Sequence, residues 1–204
     1  MTTIDITPAT WEDLPVAAGI LAEAFHDDPV LRAIAPGKDR RLERLTDLFS
    51  AILRSGPFAT GTVDVARRSG DDEILGVAAW EGPGADRGAF RRQVRELPRF
   101  TRALGWLGLP RAIGLLDKLE GHRPRSPHWY LAEIGVSPRA RGLGIGGRLL
   151  RTHLSALDAM RQSAYLESST PDNRRLYRRL GFQEAGAING IPGATPERML
   201  RLPA

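Results

Sequence analysis

The chain contains no cysteine, which removes disulfide staples, thiolate metal sites and a cysteine nucleophile. It has no apolar run of about 18 residues or more. The best candidate, Ala103 to Leu116, is cut by Pro110 and Arg111, so no membrane span is expected. Lysine is nearly missing: Lys38 and Lys118 are the only two among 29 basic side chains, leaving 27 arginines. Such dominance of arginine reports codon usage more than binding, and the formal charge is only +5. The arginines are spread along the chain rather than gathered in one stripe, so no nucleic-acid partner is read from charge. The start, Met1 to Pro15, lacks a basic n-region and an apolar h-region, so no secretory signal is expected and a cytoplasmic protein is the default. What remains is ordinary globular composition, 42% apolar with 22 Gly and 15 Pro, at a length that predicts one domain over residues 1–204.

Hydrophobic periodicity orders the chain. Ile4 to Ile6 alternates as a strand. Thr10-Trp11-Glu12-Asp13 resembles a capping box opening a helix whose inner stripe is Val16, Ile20, Leu21, Ala24 and Phe25, stopped by Asp27-Asp28-Pro29. Leu42, Leu45, Leu48, Phe49, Ile52 and Leu53 mark a second helix ended by Gly56-Pro57. Thr62–Ala66 and Ile74–Trp80 flank the turn-prone Ser69-Gly70-Asp71-Asp72 and predict an antiparallel hairpin. Glu81 to Arg125 reads as two arginine-rich helices, a helical insertion at about residues 82–126 that packs against the rest and can wall a pocket. Strands are then expected at Trp129–Val136 and Ala164–Ser168 and helices at Gly144–Met160 and Asn173–Leu180. Weaker strands follow at Phe182–Ala187 and Arg198–Leu202. This order predicts an α/β (α+β) fold with a mixed sheet and helices on both faces.

The segment Val136-Ser-Pro-Arg-Ala-Arg141-Gly142-Leu143-Gly144-Ile145-Gly146-Gly147 joins a strand to a helix. Glycines tolerate positive φ and let a ligand approach the backbone, while the first helical turn offers unpaired N–H groups and the positive end of the macrodipole. Such a turn suits a pyrophosphate, to which Arg139 and Arg141 can add charge. Gly142, Gly144 and Gly147 also satisfy the dinucleotide spacing G-x-G-x-x-G, with Glu167 ending the next strand. Two features argue against that reading. Ser137 to Arg141 separate the strand from the first glycine, and too little chain follows Glu167 for the further βα units a dinucleotide fold needs.

Arg141-Gly-Leu-Gly144-Ile-Gly146 resembles the acetyl-CoA signature of the GNAT acetyltransferase superfamily, Q/R-x-x-G-x-G/A. Leu166-Glu167-Ser168 extends the likeness, and Asn173, Tyr177 and the closing Gly181-Phe182 resemble the family's second motif about 30 residues on. His128-Trp-Tyr-Leu-Ala and Ala24-Phe-His-Asp-Asp-Pro29 also resemble the puromycin N-acetyltransferase-like branch. The resemblance implies a mostly antiparallel sheet with one splayed parallel pair. The pantetheine arm of acetyl-CoA would pair with the backbone of Ile134, Gly135 and Val136, and the pyrophosphate with amides of Arg141 to Gly147. Asn173 would touch the carrier, its competing role being a helix cap. Tyr177, four residues on and on the same helix face, would point at the thioester sulfur, with Leu176 and Leu180 supplying the companion apolar face.

Amine transfer also needs a base. Glu133, on the face of its strand opposite Ile134, is the first candidate. Glu167 is the second, as base or as anchor for the substrate ammonium. His128 at the mouth of the strand is a weaker candidate. His26, His122 and His153 show no ligand spacing, so no metal is expected. The expectation is therefore an acetyl-CoA-dependent N-acetyltransferase using a small-molecule primary amine, with no membrane partner and a possible homodimer through unpaired edge strands. The competing expectation is a CoA-binding sensor or partner protein without turnover.

Overall fold

A computed structural model describes residues 3–204. Strand β1 (Ile4–Pro8) leads into a turn in which the Asp13 carboxylate accepts the backbone N–H of Thr10 at 2.7 Å and its hydroxyl at 3.1 Å. This turn takes the place of the helix start expected at Thr10, and helix α1 (Leu14–Ala24) begins after it. Leu14, Ala17, Ala18 and Leu21 are fully buried, so the inner stripe is rotated from the expected one and Val16 faces out. Asp27-Asp28-Pro29 ends α1 as expected but also opens a further helix. Asp28 accepts the N–H groups of Val30 and Leu31 as the N-cap of α2 (Pro29–Ile34), whose Pro29 occupies a position needing no donor. Helix α3 (Arg41–Ser55) stops at Gly56-Pro57, and the single turn α4 (Pro57–Thr60) precedes the hairpin β2 (Gly61–Arg68) and β3 (Ile74–Glu81).

Between β3 and β4 (Trp129–Val136) lie three helices, not two: α5 (Ala89–Arg95), α6 (Leu97–Leu104) and α7 (Leu109–Glu120). Pro98 has no N–H to give the Val94 carbonyl, so α5 cannot continue into α6. Helix α8 (Ile145–Ala159), strand β5 (Ala164–Ser168) and helix α9 (Pro171–Arg179) lie close to their expected bounds. Strands β6 (Gln183–Ala187) and β7 (Glu197–Arg201) complete the chain.

The seven strands form one sheet in the order β1-β2-β3-β4-β5-β7-β6. Every neighbouring pair is antiparallel except β4 and β5. One face packs on α1 and α3 through residues such as Val65, Val77, Leu21 and Phe49. The other packs on α8 and α9 through Ala78, Trp80, Leu149, Leu150 and Tyr177. There His153 of α8 stacks on Trp80 at 4.4 Å with its Nδ1 3.4 Å from Asp64 Oδ2, which places it in packing away from the cleft described below. A third cluster ties α7 to α2 and to the β6–β7 connection through Ala112, Ala33, Ile34 and Ile188, and Lys118 Nζ donates to the Gly190 carbonyl at 3.1 Å. Among the described residues no helix is long and apolar enough to cross a membrane.

Arg201 of β7 grips Asp158 near the end of α8 with two bonds of 2.7 Å, and the Ala204 N–H adds a third at 3.0 Å. The guanidinium and that amide hold the Asp158 carboxyl down to about 2. A carboxyl depressed in the folded state contributes stability above its unfolded value, and that contribution is lost as pH falls through the folded one. Asp158→Asn should therefore lower Tm at pH 7, with the gap to the parent closing between about pH 4 and pH 2, as followed by circular dichroism.

Candidate functional site

Strands β4 and β5 share only two register pairs, Trp129 with Ala164 and Tyr130 with Tyr165, and then part. On its other side β4 stays paired to β3 as far as Val136, so beyond Leu131 the edge facing β5 has no strand partner. A bulge at Ala132 shifts the register. Beyond it Ile134 and Val136 pack toward α8, and Gly135 faces α1. A Cβ at Gly135 would lie 3.0 Å from side-chain atoms of Ala24 and Leu21, so the missing side chain lets α1 pack close to β4.

After β4 the chain makes a short 3-10 turn, Pro138–Ala140, and Arg141 is extended. Gly142 and Gly144 take left-handed backbone, φ +81° and +71°. A Cβ built at either meets no atom within 4 Å, so the backbone shape, not crowding, calls for glycine, and the space beside it is open. Gly144 is the N-cap of α8, and the Arg148 N–H donates to its carbonyl at 3.1 Å. The amides of Ile145, Gly146 and Gly147 precede that bond and carry the positive end of the helix. Arg139, Arg141 and Leu143 are exposed beside them.

Helix α9 supplies the opposite wall. Thr170 is its N-cap, accepting the Asn173 N–H at 3.4 Å, so Asn173 is not the cap and its side chain is exposed at the cleft. Tyr177 is buried, with its ring edge-on to Phe182 at 5.9 Å. Contrary to expectation, Tyr177 itself joins the core, whereas Leu176 and Leu180 are only partly buried. A cleft of about 50 Å³ brings together Glu133, Ile134, Glu167, Asn173 and Tyr177, with Phe25 and Ser169 closing it. Gly135, Val136 and the residues from Arg141 to Gly147 lie outside that cleft, and His128 does too, its Nδ1 2.7 Å from the Ser126 carbonyl.

The electrostatics of this cleft are one-sided. Burial pushes the Glu133 carboxyl well above the usual carboxylate range, and Asp28, Glu167 and Glu81 push it the same way. Burial also raises Glu167, against the opposing pull of Arg123, Tyr130 and Tyr165. The Tyr177 phenol is raised by burial and by the negative charges of Glu133 and Asp28. Among the described residues no three His, Cys, Asp or Glu side chains converge as a metal site.

Sequence reasoning missed several groups around the cleft. Asp28 accepts the Ser169 hydroxyl and so ties the α1–α2 turn to the β5–α9 turn. The Arg123 guanidinium lies over the Tyr130 ring at 3.6 Å and 3.8 Å from Glu81 Oε2. A capping signal was available for Asp28 before Pro29. Arg123 lies between α7 and β4, where no periodicity guides assignment, and Tyr130 meets Tyr165 only through strand register.

Comparison with known proteins agrees with this geometry. A family model described as an acetyltransferase (GNAT) domain matches residues 111–184. The solved histone acetyltransferase HPA2 and related acetyltransferase of Corynebacterium glutamicum is 31% identical, covering 100% of this chain and 98% of that one, with a TM-score of 0.76. An uncharacterized N-acetyltransferase of Schizosaccharomyces pombe is 28% identical over 181 residues, covering 84% of this chain and 71% of that protein. A structure of arylalkylamine N-acetyltransferase 7 from the mosquito Aedes aegypti is 17% identical. The match covers 98% of this chain and 88% of that one, with a TM-score of 0.62, a likeness of fold.

The raised Glu133 carboxyl has a consequence for stability. In the range above about 4.5 the unfolded chain ionises this group while the folded chain holds the proton, so the group costs stability as pH rises. Glu133→Gln should raise Tm, and the gain should grow as pH rises above about 5 in differential scanning calorimetry.

Proposed function

The chain belongs to the GNAT acetyltransferase family, and on that premise we propose that it transfers the acetyl group of acetyl-CoA directly to a primary amine of a small molecule. Family membership makes it an acetyl-CoA-dependent acyltransferase. The observation that carries the finer reading is the convergence of Glu133 and Tyr177 on one cleft between parted strands.

The open left-handed turn at Gly142 and Gly144, the unpaired amides of Ile145 to Gly147 and the exposed Arg139 and Arg141 fit a diphosphate. In this reading the unpaired edge of β4 at Ile134 to Val136 receives the pantetheine arm as an added strand, and Asn173 contacts the carrier from α9. Acetyl-CoA supplies the activated acyl group, as a thioester.

The positive charge of the acceptor ammonium favours the Glu133 carboxylate as it enters the cleft, and Glu133 then takes a proton from it. An alkyl ammonium near 10.4 gives up its proton at a cost of about 4–5 kcal/mol at pH 7. A carboxyl raised by burial is a stronger base than an ordinary one and narrows that gap. Glu167 anchors the substrate ammonium from β5. The Tyr177 phenol faces the leaving sulfur. A thiol near 8.5 is more acidic than a phenol near 10, and burial raises the phenol further, so Tyr177 holds its proton and hydrogen-bonds the departing thiolate rather than surrendering the proton to it. With no cysteine in the chain, no thiol-linked acyl-enzyme can form, which favours direct reaction of the two substrates.

The test is thiol release from acetyl-CoA with a panel of primary amines. Tyr177→Phe keeps the ring against Phe182 and should lower kcat by about 10²–10⁴ with CoA affinity retained in calorimetry. Thiol release with none of the amines would leave the chain as a CoA-binding protein without turnover, and a kcat indifferent to the phenol would overturn the role given to Tyr177.

A further inference from the structure

On the face of the sheet that carries Glu133, the ammonium anchor Glu167 sits among side chains that take no part in the transfer step. Glu167 Oε1 and Tyr165 Oη are buried and complete no hydrogen bond with the protein, although the Tyr130 and Tyr165 hydroxyls lie beside that carboxyl and favour its charged form. Tyr165 is 1% exposed, so this orphaned hydroxyl has no access to bulk water. Unpaired polar groups at such depth cost stability unless something supplies their partners. Glu81 projects from the end of β3, in register with Tyr130. The Tyr130 and Tyr165 rings stand 6.2 Å apart.

The cation that fills this box belongs to the chain itself. Arg123 stacks on Tyr130 at 3.6 Å, yet its nearest carboxylate contact is 3.8 Å and its buried Nε has no partner. Glu81 and Glu167 therefore share one guanidinium that completes no close ion pair with either. The backbone of Arg123 is fixed by its N–H to Glu120 O at 2.9 Å, so only the side chain needs to move to vacate the box.

We propose that Arg123 is an internal stand-in for a second cationic group of the acceptor, and that the substrate is a diamine or guanidino-amine whose far end displaces it to bind Glu167, Tyr165 and the Tyr130 face. This rests on the amine-transfer reading above. The ammonium or guanidinium end supplies the donors that Glu167 Oε1 and Tyr165 Oη lack, and the aromatic face favours either cation. The reacting amine meanwhile lies between Glu133 and Tyr177.

The discriminating experiment compares 1,4-diaminobutane and 4-guanidinobutylamine with butylamine, which has the same chain length and no second charge. Wild-type kcat/KM should favour the two dications by roughly tenfold or more, as a hydrogen bond to a charged group allows. Arg123→Ala removes the competitor and should raise that preference severalfold through KM, not kcat. Glu167→Gln should reduce it about tenfold. Tyr165→Phe, which leaves the packing of the ring intact, should reduce it severalfold. Calorimetric titration of 1,4-diaminobutane without acetyl-CoA supplies a readout independent of turnover, and Arg123→Ala should tighten that binding. Equal use of all three amines, unmoved by Tyr165→Phe and Arg123→Ala, overturns the proposal while amine transfer stands. Diamine binding tightened by Arg123→Ala without acetylation of any amine sustains the box and overturns the transfer reading.

Discussion

The early parting of β4 from β5 is the constraint on which the rest depends. Parallel neighbours normally continue in register, and a backbone edge left without partners inside a sheet is unfavourable unless something pairs with it. Here the two strands separate after Tyr130 and Tyr165, and the bulge at Ala132 turns the following residues so that Glu133 enters the gap. The arrangement is held from both sides. Helix α1 presses on Gly135 while β3 keeps the other edge of β4 paired, and β7 inserts beside β5 to hold that strand in the sheet.

Charge follows from that geometry. Opening a gap between strands exposes side chains that would otherwise stack in a core, and this chain places carboxyls there instead of aliphatic groups. Burial disfavours the ionised forms of Glu133, Glu167 and Glu81, Glu167 and Glu81 add to this at Glu133, and the Arg123 guanidinium opposes it at Glu167 and Glu81. The phenol of Tyr177 keeps its proton for the same reason. A positive charge brought beside these carboxyls favours their ionised forms.

Legibility in the sequence divides by range. Trp129–Val136 and Ala164–Ser168 could be bounded correctly because each is a compact apolar run flanked by strong punctuation, and the glycines at 142 and 144 announce a left-handed turn whatever lies nearby. Asn173 and Tyr177 follow from motif spacing and Glu133 and Glu167 from the need for a base on the neighbouring strands, and all four line one cleft. The helices between β3 and β4 were miscounted because a proline's effect depends on which carbonyl it fails to serve, as at Pro98. The rotation of α1 that exposes Val16 is a tertiary choice between two apolar stripes. Arg123 lay beyond reach altogether, since only strand register brings Tyr130 beside Tyr165 and only the α7–β4 connection brings a guanidinium over the ring.

The scarcity of lysine takes on a different meaning in a protein that handles an activated acyl donor. A guanidinium stays protonated at any physiological pH and is no nucleophile, whereas a lysine amine is neutral part of the time. With 27 of 29 basic side chains in the inert form, the surface keeps its positive charge while offering almost nothing to acylate. Of the two lysine amines, Lys118 is engaged with the Gly190 carbonyl. Acylation of lysine side chains by the chain's own reagent is thus confined to two positions, Lys38 and Lys118.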